Sequence, residues 1–350
     1  MSVTMSVIIP VKNGEKFIGE CLNSLLRQDY QGTWEISIYN DGSEDSTEAI
    51  IRQFEQSFND RNVPLVINSG EVSGGVGFAK NKAVAHSSGK YVCFCDADDM
   101  SHEKRLSTLV KYALSFPEHA NVFFGSCFRR TPEHSTVRYT RWACSLTNEL
   151  LDRQIYTSHG PTLIAPTWFL SRTLFDQVGG FRDDIKKGFP EDLDFFYKTF
   201  SCKHVIYRKI DEELVVYRYH SDCESFSVHE DSIWELRLEH LRKNVLLKWQ
   251  KFSIWSVGKQ GKHFFKSLRP EEKNNVVAFC DVDIKKLNRG VFENYDEVTR
   301  TVIHKIPILS IENVQPPVII CVKLDMTGGD LEKLIASKNW IEGEDYIFFT

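Results

Sequence analysis

Short apolar segments alternate with segments of helical periodicity over roughly the first hundred residues, and this alternation is the strongest constraint on the fold. The apolar segments cover residues 6–10, 34–39, 64–68 and 91–95. Successive parallel strands need a long crossover connection, which is usually a helix. The pattern therefore predicts an α/β fold with a mostly parallel, Rossmann-like sheet and helices packed on its faces.

The fourth apolar segment ends in three carboxylates, Asp96, Asp98 and Asp99. Ligands of α/β sheets bind just beyond the carboxyl ends of the strands, where these side chains are expected. Carboxylate oxygens suit Mg²⁺ or Mn²⁺, which commonly bind through one or two carboxylates plus substrate phosphates. The triplet therefore indicates a metal and diphosphate site. The alternative is that Asp98 and Asp99 cap the helix indicated by residues 101–112, because Asp is a favoured N-cap.

A fourth carboxylate, Asp41, follows the second predicted strand in an Asn-Asp-Gly-Ser turn. In a parallel sheet this position lies at the same edge as Asp96, where a carboxylate can accept a hydrogen bond from a base or a ribose. The alternative is a turn residue whose side chain bonds its own backbone.

An acidic pair and a histidine later in the chain can take part in catalysis or in binding a metal. Glu191 and Asp192 begin an aromatic-rich helical segment, and one of them at the mouth of a metal and diphosphate site can act as a general base. His220 ends a strand-like segment and can bind a metal or a phosphate. The alternatives are a helix cap for the acidic pair and an ordinary hydrogen-bonded surface histidine.

Composition restricts the classes of partner. The net charge of −5 argues against a generally basic nucleic-acid-binding protein, although it leaves room for a local basic face. Nine cysteines without any C-x-x-C spacing indicate reduced thiols, and the first residues are too briefly apolar for a signal sequence or a membrane span. We therefore expect a cytoplasmic protein with no membrane partner. The sequence does not specify an oligomeric state.

The chain is long enough for two domains, which we place at residues 1–230 and 231–350. Residues 232–250 have the spacing of an amphipathic connecting helix, and a second strand–helix alternation follows it. This predicts a small Rossmann-like α/β domain at the C-terminal end. Its glycine–lysine loop at residues 258–262 lacks the spacing of a nucleotide-binding fingerprint, so a stabilising or recognition module is the default interpretation.

Five segments, in this order, resemble family 2 of the GT-A glycosyltransferases and cover residues 1–230. They are SVIIPVKNGEKFIGECLNSLLRQ, YNDGSEDST, GVGFAKNKAVAHSSGKYVCFCDADD, GGF followed by GFPEDLDFF, and YRYHSDCES. The resemblance implies a GT-A catalytic domain that transfers a sugar from a UDP-sugar with inversion. It also implies a bound Mn²⁺ or Mg²⁺.

The same resemblance implies roles for single residues. On the donor side, Pro10 and Lys12 would lie beside the uracil ring, Asp41 would bind the uridine, and Asp96 would contact the ribose side. Asp98 would hold the metal that bridges the diphosphate, with His220 as an additional metal or phosphate ligand. Asp192 of the pair with Glu191 would be the general base, although spacing alone does not choose between the two.

Two residues depart from the family pattern. Lys12 stands where the family often has an aromatic residue, and Lys80 stands in Ala-Lys-Asn where arginine is usual. These departures concern the stacking contact with the uracil ring and the basic contact with the donor.

The whole chain, including residues 305–349, is more narrowly similar to the queuosine-tRNA galactosyltransferases, the β-1,3-N-acetylglucosaminyltransferase-like 1 group. This implies UDP-galactose as the donor and the queuosine of a tRNA anticodon as the acceptor. The cationic residues that we expect to contact tRNA are Arg129, Arg130, Arg138 and Arg141, with Lys248, Lys251, Lys259, Lys262 and Lys266. The alternatives are a UDP-GlcNAc-dependent transferase acting on a protein or glycan, and a non-catalytic protein that binds a sugar nucleotide.

Overall fold

The computed structural model describes residues 4–296, 298–324 and 326–350. The chain forms two compact units. The first comprises the residues up to Asp152 together with Gly160–Leu236, and the second comprises Arg153–His159 together with Arg237–Thr350. The short segment Arg153–His159 thus belongs to the second unit, a placement that no local sequence pattern indicates. The domain boundary after residue 230 stays a prediction.

The first unit is built on one mixed sheet of eight strands. The strands are β1 (Met5–Val11), β2 (Trp34–Asp41), β3 (Leu65–Gly70), β4 (Tyr91–Phe94), β5 (Met100–Ser101), β6 (Asn121–Thr131), β7 (Phe169–Ser171) and β8 (Val205–Arg218). Their order is β3-β2-β1-β4-β7-β6-β8-β5. The first four strands along this order are parallel, whereas β7 runs antiparallel to both of its neighbours. The predicted α/β fold class is confirmed, and the carboxyl ends of β1, β2 and β4 meet at one edge.

Helices cover the sheet of the first unit. They are α1 (Ile18–Leu26), α2 (Thr47–Arg52), α3 (Glu55–Asp60), α4 (Val76–Ala85), α5 (Arg105–Ala113), α6 (Val137–Ser145), α7 (Arg172–Val178) and α8 (Glu191–Thr199), followed by α9 (Glu230–Leu241). In α1 the buried residues Cys21, Leu22 and Leu25 recur at helical spacing and pack with the buried face of the sheet. Every residue of β1 is buried, as expected for a strand covered on both faces.

The second unit contains a six-stranded sheet. Its strands are β9 (Phe252–Trp255), β10 (Val276–Asp281), β11 (Val291–Tyr295), β12 (Val302–Ser310), β13 (Val318–Ile320) and β14 (Tyr346–Phe348), in the order β11-β12-β10-β9-β13-β14. Its helices are α10 (Lys259–Ser267), α11 (Pro270–Lys273), α12 (Ile284–Leu287) and α13 (Asp330–Ser337). Apart from the antiparallel hairpin of β11 and β12, the strands are parallel, which gives the Rossmann-like arrangement that the sequence predicts. Among the described residues, no helix of either unit has the combination of length and apolar character that a membrane span requires.

A buried arginine supports the end of β4, the strand that precedes the acidic triplet. Arg105 is 1% exposed. Its guanidinium donates hydrogen bonds of 2.6 Å to the carbonyl oxygens of Phe94 and Pro166 and one of 3.0 Å to the hydroxyl of Ser101. The cation thereby binds two buried backbone carbonyl groups, and it supports the backbone just before Asp96.

We expect Arg105→Ala to lower the free energy of unfolding by about 2–4 kcal/mol, because the change leaves buried carbonyl oxygens without donors. The matched control is Lys104→Ala, which removes an exposed side chain at the neighbouring position and should change stability by less than about 0.5 kcal/mol. Urea denaturation measures both. Equal effects of the two substitutions would contradict a supporting role for Arg105.

Candidate active site

The acidic triplet lies beyond the end of β4 and forms one compact cluster. Asp96 and Asp98 are half-buried and Asp99 is 1% exposed. One oxygen from each of the three carboxylates lies within 4.8 Å of the others. Burial and the neighbouring Asp98 and Glu191 raise the pKa of Asp96 to about 6, although the nearby Lys80 opposes this shift. Carboxylates held this close repel one another, so the cluster favours a proton or a cation.

Asp99 does not cap the following helix, which corrects the alternative interpretation from the sequence. Helix α5 begins only at Arg105, because residues 100–101 form strand β5. The Asp99 Oδ1 atom instead accepts a 2.8 Å hydrogen bond from the backbone N–H of Arg218 at the end of β8. Its Oδ2 atom is buried without a hydrogen-bond partner, and burial with Asp98 and Asp96 raises the pKa of Asp99 well above its ordinary value.

The structure brings together Asp98 and His220, the two residues that the sequence predicts as metal ligands. The His220 Nε2 atom lies 2.9 Å from Asp98 Oδ2. The His220 ring also packs 4.5 Å from the ring of Phe17, and its Nδ1 atom accepts a 3.2 Å hydrogen bond from the backbone N–H of Asp222. Because Nδ1 accepts this hydrogen bond, Nε2 carries the ring proton and donates it to Asp98, and a cation bound at Nε2 would replace that proton.

This donor set fits a divalent cation. Asp96, Asp98 and Asp99 supply oxygen atoms, and Asp98, His220 and the thiol of Cys223 form a second group whose ligand atoms lie within 4.8 Å of one another. Carboxylate oxygens suit Mg²⁺ and Mn²⁺, and an added imidazole is compatible with Mn²⁺. The unpartnered Oδ2 of Asp99 leaves negative charge that a cation nearby would offset.

The acidic pair at the start of α8 contains two carboxylates in different environments. Glu191 Oε1 lies 2.8 Å from the ammonium of Lys80, and the two side chains are 13% and 5% exposed. Among the described residues, Asp192 forms no ion pair of this kind. Its Oδ1 accepts a 2.7 Å hydrogen bond from the backbone N–H of Leu193. Burial and the neighbouring Glu191 raise the pKa of Asp192 to about 7. A carboxylate that titrates near neutral pH has the property expected of a general base.

Lys80 lies inside the acidic cluster. It is 4% exposed, and its ammonium lies 5.1 Å from the centre of the Phe181 ring. Burial opposes its charge, but Glu191, Asp96 and Asp192 together raise the pKa of Lys80 above its ordinary value. The basic residue that the sequence assigns to the donor is therefore engaged by carboxylates, and its contact with a donor stays a prediction.

Asp41 organises the glycine-rich loop before α4. Its carboxylate accepts hydrogen bonds from the Ser73 hydroxyl at 2.7 Å and from the backbone N–H groups of Gly74 and Gly75 at 2.8 and 2.9 Å. Gly75 has a φ of +96°, and a Cβ there would lie 2.5 Å from the carbonyl oxygen of Lys186, so the loop requires glycine at this position. Binding of uridine by Asp41 stays a prediction.

Pro10 and Lys12 lie at the end of β1, beside the end of β2. Pro10 is buried and stands opposite Tyr39 in the parallel register, whereas Lys12 is exposed. The backbone N–H of the following residue, Asn13, donates a hydrogen bond of 2.8 Å to the Ser43 hydroxyl. Pro10, Lys12 and Asp41 therefore share one sheet edge, although their contacts with a uracil ring stay predictions.

Of the cationic residues predicted to contact tRNA, Arg130 is not a surface residue, and the contacts themselves stay predictions. It is 7% exposed, whereas Arg129, Arg138 and Arg141 are exposed. In the second unit, Lys248, Lys251, Lys259 and Lys266 are exposed and Lys262 is half-buried. The sequence also missed the aromatic residues around Arg130, because only the pairing of β6 with β8 brings them together.

A family model identifies the part of the chain that carries this site. The model of Glycosyl transferase family 2 matches residues 6–179. Residues 6–179 thus carry the sequence pattern of Glycosyl transferase family 2. The match includes β1, β2 and the acidic triplet, so the ordered motifs of the sequence and the geometry at the sheet edge agree on the same family.

Curated relatives and a solved structure agree with this assignment. A poly(ribitol-phosphate) β-N-acetylglucosaminyltransferase, TarS of Staphylococcus aureus, is 37% identical over 195 residues, which are 54% of this chain and 30% of that protein. An uncharacterized glycosyltransferase of Rickettsia bellii is 24% identical over 256 residues, 70% of this chain and 34% of that protein. The chain thus spans about a third of the length of these two relatives. The crystal structure of TarS residues 1–349 with UDP-GlcNAc has a TM-score of 0.55 at 20% identity, covers 79% of both chains, and shares the fold.

We expect Asp192→Asn to stabilise the glycosyltransferase fold above pH 7 and to have little effect near pH 4. The raised pKa means that the folded state binds more protons than the unfolded state between about pH 4 and 7, so Asp192 lowers stability progressively as the pH rises through that range. The gain at pH 8 should be about 1–3 kcal/mol. Urea denaturation at both pH values measures it.

The control for this substitution is Asp152→Asn at an exposed carboxylate, whose effect should not change between the two pH values. An Asp192→Asn variant that is equally or less stable than the wild type at pH 8 would contradict the raised pKa.

Proposed function

We propose that the protein is an inverting, metal-dependent glycosyltransferase that uses a UDP-sugar. The observation that carries this proposal is the difference between the environments of the Glu191 and Asp192 carboxylates. Glu191 is neutralised by Lys80 at 2.8 Å, whereas Asp192 has no cationic partner and has a pKa of about 7. A binding protein without turnover needs no such base, which favours an enzyme over a sensor.

In the proposed mechanism, Asp192 accepts the proton of the acceptor hydroxyl as that oxygen attacks the anomeric carbon of the sugar. Attack from the face opposite the leaving UDP inverts the configuration, and no covalent intermediate on the protein is needed. Lys80 holds Glu191 in place through their 2.8 Å ion pair, and burial together with the charge of Glu191 raises the pKa of Asp192 toward neutrality. The proton thus moves to Asp192 at a pH where the carboxylate is both available and basic enough.

Asp98 and His220 are the residues that would hold the divalent cation, with Asp96 beside them. When bound there, Mn²⁺ or Mg²⁺ offsets the negative charge that develops on the leaving diphosphate. The chain orients the Asp98 carboxylate through its 2.9 Å contact with His220, and it orients His220 through the Phe17 ring and the N–H of Asp222. Pro10, Lys12 and Asp41 are proposed to bind the uridine at the same sheet edge.

For the substrates, we propose UDP-galactose as donor and the queuosine of a tRNA anticodon as acceptor. Support comes from the similarity of both parts of the sequence to the queuosine-tRNA galactosyltransferases. All nine cysteines are free thiols, which suits the reducing cytosol where this acceptor is found. The exposed arginines at positions 129, 138 and 141 provide local positive charge despite the net charge of −5.

A second candidate is transfer of N-acetylglucosamine from UDP-GlcNAc to a polyol phosphate, a protein or a glycan. The 37% identity to a poly(ribitol-phosphate) β-N-acetylglucosaminyltransferase over 195 residues favours it. The two candidates share the metal, the base and the nucleotide, and they differ in the sugar and the acceptor.

Incubation of the purified protein with Mn²⁺, a panel of UDP-sugars and total tRNA tests the proposal. The expected result is galactose on queuosine-containing tRNA, detected by mass spectrometry of the nucleosides, with an equal amount of UDP released. tRNA that lacks queuosine is the matched control acceptor. Transfer of N-acetylglucosamine to poly(ribitol phosphate) or protein, with none to tRNA, would replace the first candidate by the second.

The two carboxylates of the acidic pair should differ in their effects on transfer. Asp192→Asn should lower kcat by roughly 10²–10⁴, because it removes the general base. Glu191→Gln should lose less activity and should move the apparent pKa of the kcat/KM profile to lower pH, because Glu191 raises the pKa of Asp192. Steady-state kinetics between pH 5 and 9 measure both. A larger loss in Glu191→Gln with an unshifted profile would assign the base to Glu191.

The proposed cation site can be tested by binding as well as by activity. Asp98→Asn should weaken Mn²⁺ binding at least about tenfold, and His220→Ala should have an effect of similar size. Electron paramagnetic resonance of free Mn²⁺ during titration measures the affinity directly. Asp222→Asn is the control, because this exposed side chain is adjacent to His220 but is not in the proposed ligand set. Unchanged Mn²⁺ affinity in Asp98→Asn would exclude Asp98 as a ligand.

A further inference from the structure

Arg130 is a buried cation whose hydrogen-bonding capacity is not used. It is 7% exposed, and its Nε and Nη1 atoms are buried without a hydrogen-bond partner. A buried charge without a partner carries a desolvation penalty of several kcal/mol, so such groups are normally paired. The unused donors therefore indicate a ligand with negative charge.

Aromatic rings surround the guanidinium of Arg130. Its central carbon lies 4.3 Å from the centre of the Tyr217 ring and 5.2 Å from that of Tyr219. Tyr139 and Phe128 lie at 5.5 and 5.7 Å. Contacts between cations and ring faces offset part of the desolvation penalty, but they supply no hydrogen-bond acceptor to the N–H donors in the plane of the guanidinium.

Arg130 also lines an open cavity of about 240 Å³. The exposed residues Arg129 and Arg141 line the same cavity. Glu133 and Glu213 line it too, but neither bonds the unpartnered Nε and Nη1 atoms of Arg130. The cavity is large enough for a phosphate group with part of its sugar.

The cavity lies on the strand pair that also reaches the acidic triplet. Arg130 on β6 stands opposite Tyr217 on β8, and the backbone N–H of the next residue, Arg218, donates a 2.8 Å hydrogen bond to Asp99 Oδ1. Burial raises the pKa of Tyr139, while the charge of Arg130 lowers it and that of Asp192 raises it, so both charges act on the same hydroxyl. The position suits a group on the acceptor rather than the donor diphosphate, which is expected at Asp98.

We propose that Arg130 binds a phosphodiester group of an RNA acceptor and so positions the attacking hydroxyl near Asp192. The proposal rests on the proposed function, since it assigns a contact to the acceptor of that same reaction. A planar guanidinium binds a phosphate through two parallel hydrogen bonds. Single-stranded RNA is commonly recognised by aromatic side chains together with arginine, and the rings around Arg130 combine the two.

Methylphosphonate substitution of an anticodon stem-loop RNA tests this contact. Each loop phosphate is replaced in turn by an uncharged methylphosphonate, and binding to the full-length protein is followed by fluorescence anisotropy. We expect one position to weaken binding to the wild type by about 10- to 100-fold, the range for a charge-assisted hydrogen bond. The Arg130→Gln variant should bind the unmodified RNA more weakly than the wild type does, by the same factor. In this variant the methylphosphonate at that position should not weaken RNA binding further.

Arg138→Gln is the matched control, because it removes an exposed arginine of the neighbouring helix α6. It should keep the sensitivity to the methylphosphonate that Arg130→Gln loses. The slope of log Kd against log salt should fall by about 0.7 in Arg130→Gln, as expected for one phosphate contact on a single strand. Release of UDP from the UDP-sugar without an acceptor should be unchanged, which separates the loss of a contact from loss of the fold.

Distinct outcomes separate the failure of this inference from the failure of the proposed function. If the wild type transfers galactose to tRNA and Arg130→Gln still responds to the methylphosphonate, the inference is overturned and the function stands. If Arg130→Gln loses acceptor-independent UDP release and thermal stability while the wild type shows no sensitive phosphate, Arg130 is structural and the inference is overturned. If the wild type modifies poly(ribitol phosphate) and binds no RNA, both proposals fail.

Discussion

The buried ion pair between Lys80 and Glu191 is the interaction on which the rest of the site depends. It joins α4 to the start of α8 and places one ammonium among the carboxylates of Asp96, Glu191 and Asp192. Two like charges 4 Å apart repel by about 4 kcal/mol at an effective dielectric constant of 20, so these carboxylates would separate or bind protons without a cation. The lysine stands where the family usually has arginine. Its ammonium is a compact point charge that pairs closely with Glu191, whereas the pKa of Asp192 stays raised to about 7.

The periodicity of the sequence determined the main elements of the fold. Strands β1, β2, β3 and β4 and the helices between them follow from local patterns, because each is a short apolar segment bounded by polar turns. The long strand β6 and the helix α6 after it do not follow from such a local pattern. Strand β14 was missed as well, because its three buried residues, Tyr346–Phe348, are too few to establish a period.

The sequence predicted which residues form the site more completely than it predicted which side chains they contact. Parallel strands place their carboxyl ends together, and the position of Asp41, Asp96 and Asp98 could be inferred from that rule alone. The contact of Asp98 with His220 depends on the antiparallel pairing of β5 with β8, two elements more than a hundred residues apart in the chain. No local pattern records such a pairing. The burial of Arg130 is a similar case, because only tertiary packing distinguishes a buried arginine from an exposed one.

The sheet itself divides the site into two sides. The parallel strands β1, β2 and β4 end in Pro10, Asp41 and the acidic triplet, which are the residues assigned to the donor nucleotide and its cation. On the other side of the antiparallel strand β7, the paired strands β6 and β8 carry Arg130 and Tyr217. The reversal of direction at β7 therefore places Arg130 and Tyr217 on the opposite side of β7 from Pro10 and Asp41. The end of β8 also reaches the acidic triplet, because the N–H of Arg218 binds Asp99 and His220 contacts Asp98. Substitutions along β6 that leave the end of β8 in place should therefore be able to change the proposed acceptor side without disturbing the proposed cation site.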